Sequence, residues 1–184
     1  MEVSLNKQAM LSQHFSLGEM TKTSYHTADG NIPSRVNIEN LINLCENWLE
    51  DLRYSYNALY GERRPGHTGD RPPCDVGDIT DGSVPIVSSE KSSKEEPIVI
   101  NSGYRSAEVN RLCGGATNSN HLTGCAVDIR CKDNVQAIRY GCILLDIADG
   151  KKMYFDELIL ERRGTTIWVH FAVKPRGNRR YVEF

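Results

Sequence analysis

Apolar residues recur at Ile38, Leu41, Ile42, Cys45, Trp48, Leu49, Leu52, Tyr56 and Leu59, and steps of three and four sustained over so many positions turn one side of a long helix toward a core. Pro33-Ser34 opens the pattern and Gly61 stops it, so the stretch between them is expected to form a scaffold helix. Upstream, Ser16-Leu-Gly-Glu19 fits a capping box, in which hydroxyl and carboxylate satisfy free amides at a helix start. A short helix for local packing is therefore expected from about 17 to 24. Residues 61–96 are rich in Gly, Pro, Ser and charge and show no sustained period, which reads as a long loop insertion or lid with one short hairpin near Val84–Val87.

Beyond residue 96 the pattern shortens to strand length. Pro97-Ile-Val-Ile-Asn101 reads as a buried strand, 106–113 as a short helix ended by Gly114-Gly115, 125–130 as an alternating strand, and 133–149 as a helix with Gly150 at its end. Residues 155–161 and 166–173 read as two strands joined by a four-residue loop, Arg162-Arg-Gly-Thr165, and 179–184 as an edge strand. Helices gathered before a mainly antiparallel sheet define an α+β class. At 184 residues with 39% hydrophobic content, one domain spanning 1–184 is expected, able to bury a substantial core. A net charge of −2 offers no broad basic field for nucleic acid. No run of residues is long and apolar enough for a signal peptide or a membrane span, so a monomer made in the cytoplasm is expected. The six cysteines form no C-x-x-C pair and read as reduced thiols, with a disulfide as the alternative.

Within residues 117–130, TNSNHLTGCAVDIR, a histidine and an aspartate stand seven residues apart among small and apolar neighbours. Either alone reads as an ordinary polar residue, His121 bonded to a backbone carbonyl and Asp128 facing water. The turn at Gly124 can bring the chain back so that both face one space, and His nitrogen and Asp oxygen are ordinary ligands for zinc. A third ligand is then required. Of the other histidines, His14, His26 and His67 lie in the N-terminal part or the 61–96 segment, whereas His170 stands inside the apolar strand Thr166-Ile-Trp-Val-His-Phe-Ala, which makes it the candidate.

In order along the chain, Ser102-Gly-Tyr-Arg105, Val109-Asn110, Gly114-Gly115, Ser119-x-His121-x-x-Gly124-x-Ala126-x-Asp128, Phe155-Asp-Glu-Leu-Ile159 and Trp168-Val-His170 resemble the motifs of zinc D-Ala-D-Ala carboxypeptidases and phage-type murein peptidases. The hedgehog signalling domain is related to that fold. Phe15-Ser-Leu-Gly-Glu-Met20 and the long helix resemble the start of the phage and bacterial branch. The resemblance implies Zn2+ held by His121, Asp128 and His170, a substrate contact at Arg105, and a substrate-bonding or orienting role for Ser119. By itself Arg105 also reads as half of a surface ion pair, and Ser119 as a turn residue bonding its own backbone.

Hydrolysis of an amide at zinc needs a carboxylate to carry the proton to the leaving amine. Some relatives place it three residues before the last His, where this chain has Ile167. In the branch resembled here, a Glu ending the preceding strand serves, which implies Glu161. A four-residue hairpin pairing Glu161 with Thr166 would instead set Glu157 opposite His170, and Glu157 is the rival. Either also reads as a solvated strand residue. The implied function is zinc-dependent hydrolysis of an amide in a peptidoglycan stem peptide, by a carboxypeptidase or an endopeptidase acting on the wall after release. The alternative is a catalytically silent, zinc-stabilised murein-binding or virion structural module. Trp168 is expected to pack beside the metal, and the Arg-rich residues 174–180 to be a solvated charged end.

Overall fold

A computed structural model describes residues 6–61 and 95–184; the Val84–Val87 hairpin, His67 and Cys74 lie outside them. The architecture is α+β. Helices α1 (Leu17–Met20), α2 (Arg35–Leu44) and α3 (Glu50–Tyr60) precede strand β1 (Ile100–Ser102) and helix α4 (Ala107–Leu112). Strand β2 (Ala126–Cys131), helix α5 (Asn134–Lys151) and strands β3 (Glu157–Arg163), β4 (Thr166–Ala172) and β5 (Tyr181–Glu183) follow. The sheet order is β1-β2-β4-β3-β5, antiparallel except for the parallel β3–β5 pair.

The scaffold helix forms between its expected limits, capped by the Ser34 hydroxyl on the Asn37 amide. It is not uniform, because Cys45–Leu49 widens into a π-turn between α2 and α3. That turn carries Cys45, Trp48 and Leu49, all buried. Trp48 packs on Phe171 at 5.0 Å between ring centroids and edge-on to Phe155 at 6.5 Å, which seats the helix on the sheet. Helix α5 brings Ala137, Tyr140, Leu144 and Ala148 to the same core. Gly150 does not end it: the helix runs to Lys151, and Lys152 closes it in a left-handed conformation, φ 53°. Helix α1 is shorter than expected, and β1 begins at Ile100 rather than Pro97.

Alternation on the sheet separates a core face from an open one. Val127, Ile129, Leu158, Val169 and Phe171 are buried in the core. On the opposite face, Ser102, Asp128, His170, Ile159 and Glu183 are register partners in one row across all five strands. The row includes Ser102 only because β1 bulges: Ile100 pairs with Ile129 while Ser102, two residues on, pairs with the adjacent Asp128. The extra residue keeps Ile100 in the core and still points Ser102 to the open face.

The hairpin corrects one expectation. Arg163 pairs with Thr166, so the loop is the two residues Gly164-Thr165 rather than four. Gly164 at φ 62° supplies the positive φ that the first position of a tight hairpin turn requires. Ile159, not Glu157, therefore stands opposite His170; Glu157 faces Ala172 and Glu161 faces Trp168.

N-terminal residues buttress the turn after β1. The Tyr104 amide donates to the Met20 carbonyl at 2.8 Å, and the buried Asn31 side chain donates to the carbonyls of Thr21 and Tyr104 while accepting from the Ser106 amide. A Cβ at Gly103 would come within 2.3 Å of the Met20 carbonyl oxygen. Gly103→Ala is therefore expected to destabilise the protein by about 1–3 kcal/mol through overpacking, read as a lower urea midpoint at unchanged slope.

Candidate metal centre and cleft

Three side chains from two elements and a connecting turn converge on the open face. His121 lies in a single 3-10 turn, Asn120–Thr123, where the Ser119 hydroxyl accepts from the His121 amide and Gly124, φ 71°, reverses the chain into β2. A Cβ at Gly124 would also strike the Asn37 carbonyl at 2.5 Å, so the turn sits directly against α2. Asp128 and His170 are neighbours on β2 and β4. His121 is 2% and Asp128 7% exposed, and His170 is partly buried.

His121 Nδ1 lies 2.6 Å from the Gly103 carbonyl. A carbonyl only accepts, so Nδ1 carries the proton and Nε2 is left with its lone pair. That Nε2 is 3.2 Å from Asp128 Oδ1, and His170 Nδ1 is 2.9 Å from the same oxygen. One ligand atom from each residue falls within 4.8 Å of the other two. Zinc bonds of about 2.0–2.2 Å in a tetrahedron set ligand atoms roughly 3.3 Å apart. Two imidazoles and a carboxylate in this arrangement fit zinc.

Arg105 joins the centre from behind. Its Nε donates to Ser102 Oγ at 2.7 Å and its guanidinium pairs with Asp128 Oδ2 at 2.5 Å. Oδ1 of Asp128 thus faces the imidazoles and Oδ2 the guanidinium. Burial alone would raise the Asp128 carboxyl, but His121 and His170 beside it outweigh that and hold it well below the ordinary carboxylate value. Burial alone would lower His170; Asp128, helped by Glu161 and Glu157, raises it instead.

His170 also lines a polar cleft of about 350 Å³ with Ser119, Asn120, Glu157, Glu161, Lys174 and Arg179. Glu161 accepts from Trp168 Nε1 at 2.6 Å, and this hydrogen bond steadies the carboxylate. Glu157 is more heavily engaged. It accepts from Asn120 Nδ2 at 2.8 Å, is paired to Arg179, and lies 3.3 Å from His170 Nε2. Burial opposes these contacts, but together they lower its carboxyl below the ordinary value. A larger hollow of about 500 Å³ near α3, lined by His14, Glu50 and Arg53 among others, shares no residue with this centre.

Residues 174–180 are a largely exposed charged end, as expected, but two of its cations also reach back to the sheet. Lys174 Nζ lies 2.9 Å from Asp156 Oδ2, and Arg179 reaches both oxygens of the same carboxylate, at 2.9 and 3.1 Å. Asn120 adds a further hydrogen bond to Asp156 at 2.9 Å. Asp156 is fully buried, and this ionic knot fixes the far wall of the cleft. The sequence signal for it was a carboxylate directly after the core residue Phe155, which demands a partner.

A family model described as Peptidase M15 matches residues 75–156, less than half of the chain. The matched span takes in Arg105, Ser119, His121 and Asp128 and stops before Glu161 and His170. No curated protein matches the chain. With the His-Asp-His centre, this similarity supports a zinc metallopeptidase of the M15 kind. Among the described residues no helix is long and apolar enough to cross a membrane, and the five described cysteines are free thiols.

For Asp156, burial works to raise the carboxyl, while Arg179, Lys174 and Asn120 prevail and lower it. A depressed folded-state value makes the knot stabilising above the ordinary carboxylate pKa of about 3.8, with the contribution lost as pH falls through the folded value. Asp156→Asn is expected to cost about 2–3 kcal/mol at pH 7, the size of a buried charged hydrogen bond. In chemical denaturation the gap between parent and variant should narrow from pH 5 toward pH 2.

Proposed function

We propose that this protein is a zinc peptidase that hydrolyses an amide bond in peptidoglycan stem peptides, acting on the cell wall after release from the cell in which it is made. The observation that carries the reading is a buried His121–Asp128–His170 centre whose His170 borders a polar cleft holding the carboxylate of Glu161. The Peptidase M15 similarity supports the reaction class, and the resemblance of the Ser119–Asp128 and Trp168–His170 motifs to murein peptidases of the phage-type branch supports the substrate.

His121, Asp128 and His170 would hold the zinc, which when bound would supply Lewis-acid chemistry toward a carbonyl and would lower the pKa of water to about 7. The chain's own groups do the rest. Glu161, steadied by Trp168, takes the proton of the attacking water and returns it to the leaving amine. Its one hydrogen-bonded side-chain partner leaves it more available for this than Glu157, which already has three. Ser119, at the cleft wall, bonds the substrate backbone. Arg105 orients Asp128 through its ion pair, and its substrate contact is what the resemblance to murein peptidases implies.

The deciding experiment is digestion of purified peptidoglycan with and without a chelator, the released fragments identified by mass. Chelator-sensitive release of stem-peptide fragments is expected. A protein that holds zinc and binds murein but releases nothing would be a binding or virion structural module. The purified protein should carry about one zinc, and His170→Ala should lose it; full zinc occupancy in that variant would remove His170 from the ligand set. Glu161→Gln is expected to keep its zinc while turnover falls by roughly two to four orders of magnitude. Full activity in Glu161→Gln would exclude it as the base.

A further inference from the structure

Glu157 occupies a position that proton transfer does not use. It stands on the same face of β3 as Glu161, one side of Ile159 where Glu161 is the other, and its carboxylate reaches the far nitrogen of His170. That imidazole has two distinct ends. Nδ1 points at Asp128 Oδ1, 2.9 Å away, and Nε2 points at Glu157 Oε2, 3.3 Å away. Both neighbours are carboxylates, which only accept; with Nδ1 and Asp128 Oδ1 turned to a shared zinc, as the reading of the trio requires, Nε2 is the nitrogen left to carry the proton and donate it to Glu157.

The carboxylate is itself held. Asn120 donates to Glu157 Oε2 and Arg179 pairs with Oε1, while both of those residues also bind the fully buried Asp156. The chain of contacts therefore runs from a buried ionic anchor through Glu157 to a single nitrogen of His170. His121 meets the same requirement by different means, through the Gly103 carbonyl on its Nδ1. The two histidines present opposite ring nitrogens to Asp128, and each is fixed by an acceptor on its outer nitrogen.

We propose that Glu157, locked by Asn120 and Arg179, is a positioning residue that sets the tautomer and ring orientation of His170 so that Nδ1 faces the metal centre. The inference rests on the zinc reading of the trio. It separates the two glutamates of β3 by role, Glu157 acting on the ligand and Glu161 on the substrate. Outer carboxylates on ligand histidines typically contribute ten- to hundredfold in metal affinity.

The test uses zinc alone, without substrate. Affinity is measured by competition with a chromophoric chelator for the parent, Glu157→Leu and Glu157→Gln. Glu157→Leu is expected to bind zinc ten- to hundredfold more weakly, and Glu157→Gln, whose amide oxygen still accepts the Nε2 proton, to recover most of that loss. Parent-like zinc affinity in Glu157→Leu, or equal losses in both variants, overturns the proposal. A second measurement needs no substitution: nitrogen-15 NMR of the zinc-loaded parent should show His170 protonated at Nε2 and metal-bound through Nδ1. The reverse assignment overturns the proposal even if Glu157→Leu fails to fold. A parent that binds no zinc overturns the zinc reading itself and this inference with it, whereas tight parent binding with an indifferent Glu157 overturns the inference alone.

Discussion

A carboxylate as buried as Asp128 needs a partner for each oxygen: the Arg105 guanidinium pairs with one, and the other faces the two histidines with which it would share a metal ion. Much of the surrounding structure serves to bring those three partners to it. The bulge in β1 delivers Ser102, which aligns Arg105; the Gly124 turn delivers His121; and the β2–β4 register delivers His170. Removing any one of them would leave the buried carboxylate with one partner fewer in a low-dielectric setting, so each contact depends on the others being in place.

The trio was legible from the sequence because its signals are local. His121 and Asp128 are linked by one short turn, and a histidine amid Ile167, Trp168, Val169, Phe171 and Ala172 stands out as a polar residue in a buried strand. The helix scaffold was legible for a similar reason, its apolar spacing being repeated over many turns. What the residues did not reveal depended on a single extra or missing position. One bulged residue decides which way Ser102 points, and a loop of two residues rather than four moves Glu157 away from the place opposite His170. Nothing in composition distinguishes these cases, since period-two patterning is satisfied on either side of the slip. The ionic knot was hidden for another reason: Lys174 and Arg179 fall in a charge-rich terminal stretch, where exposure is the ordinary fate, and only the burial of Asp156 draws them back.

Two glutamates on one strand face have separate chemistry in the proposed reading. Glu161 has an indole N–H as its hydrogen-bonded side-chain partner and stands at the cleft, so its charge remains available. Glu157 has a cation, an amide and an imidazole around it, and its lone pairs are committed. In that reading the number of committed hydrogen-bond partners, not distance along the strand, separates the group that would move a proton from the one that would hold a ring in place.

The contacts tying Met20 to Tyr104, and His121 to Gly103, run through main-chain atoms. The side chains of Met20, Thr21 and Asn31 are buried and held by packing or hydrogen bonds, but the exposed part of the segment between them, Lys22 and Ser24–His26, can drift in sequence without moving these carbonyls. Its length cannot. Adding or deleting a residue between α1 and Asn31 would displace the Asn31 side chain from Thr21, Tyr104 and Ser106, and related chains should therefore vary in residue type at the exposed positions here while conserving the number of residues.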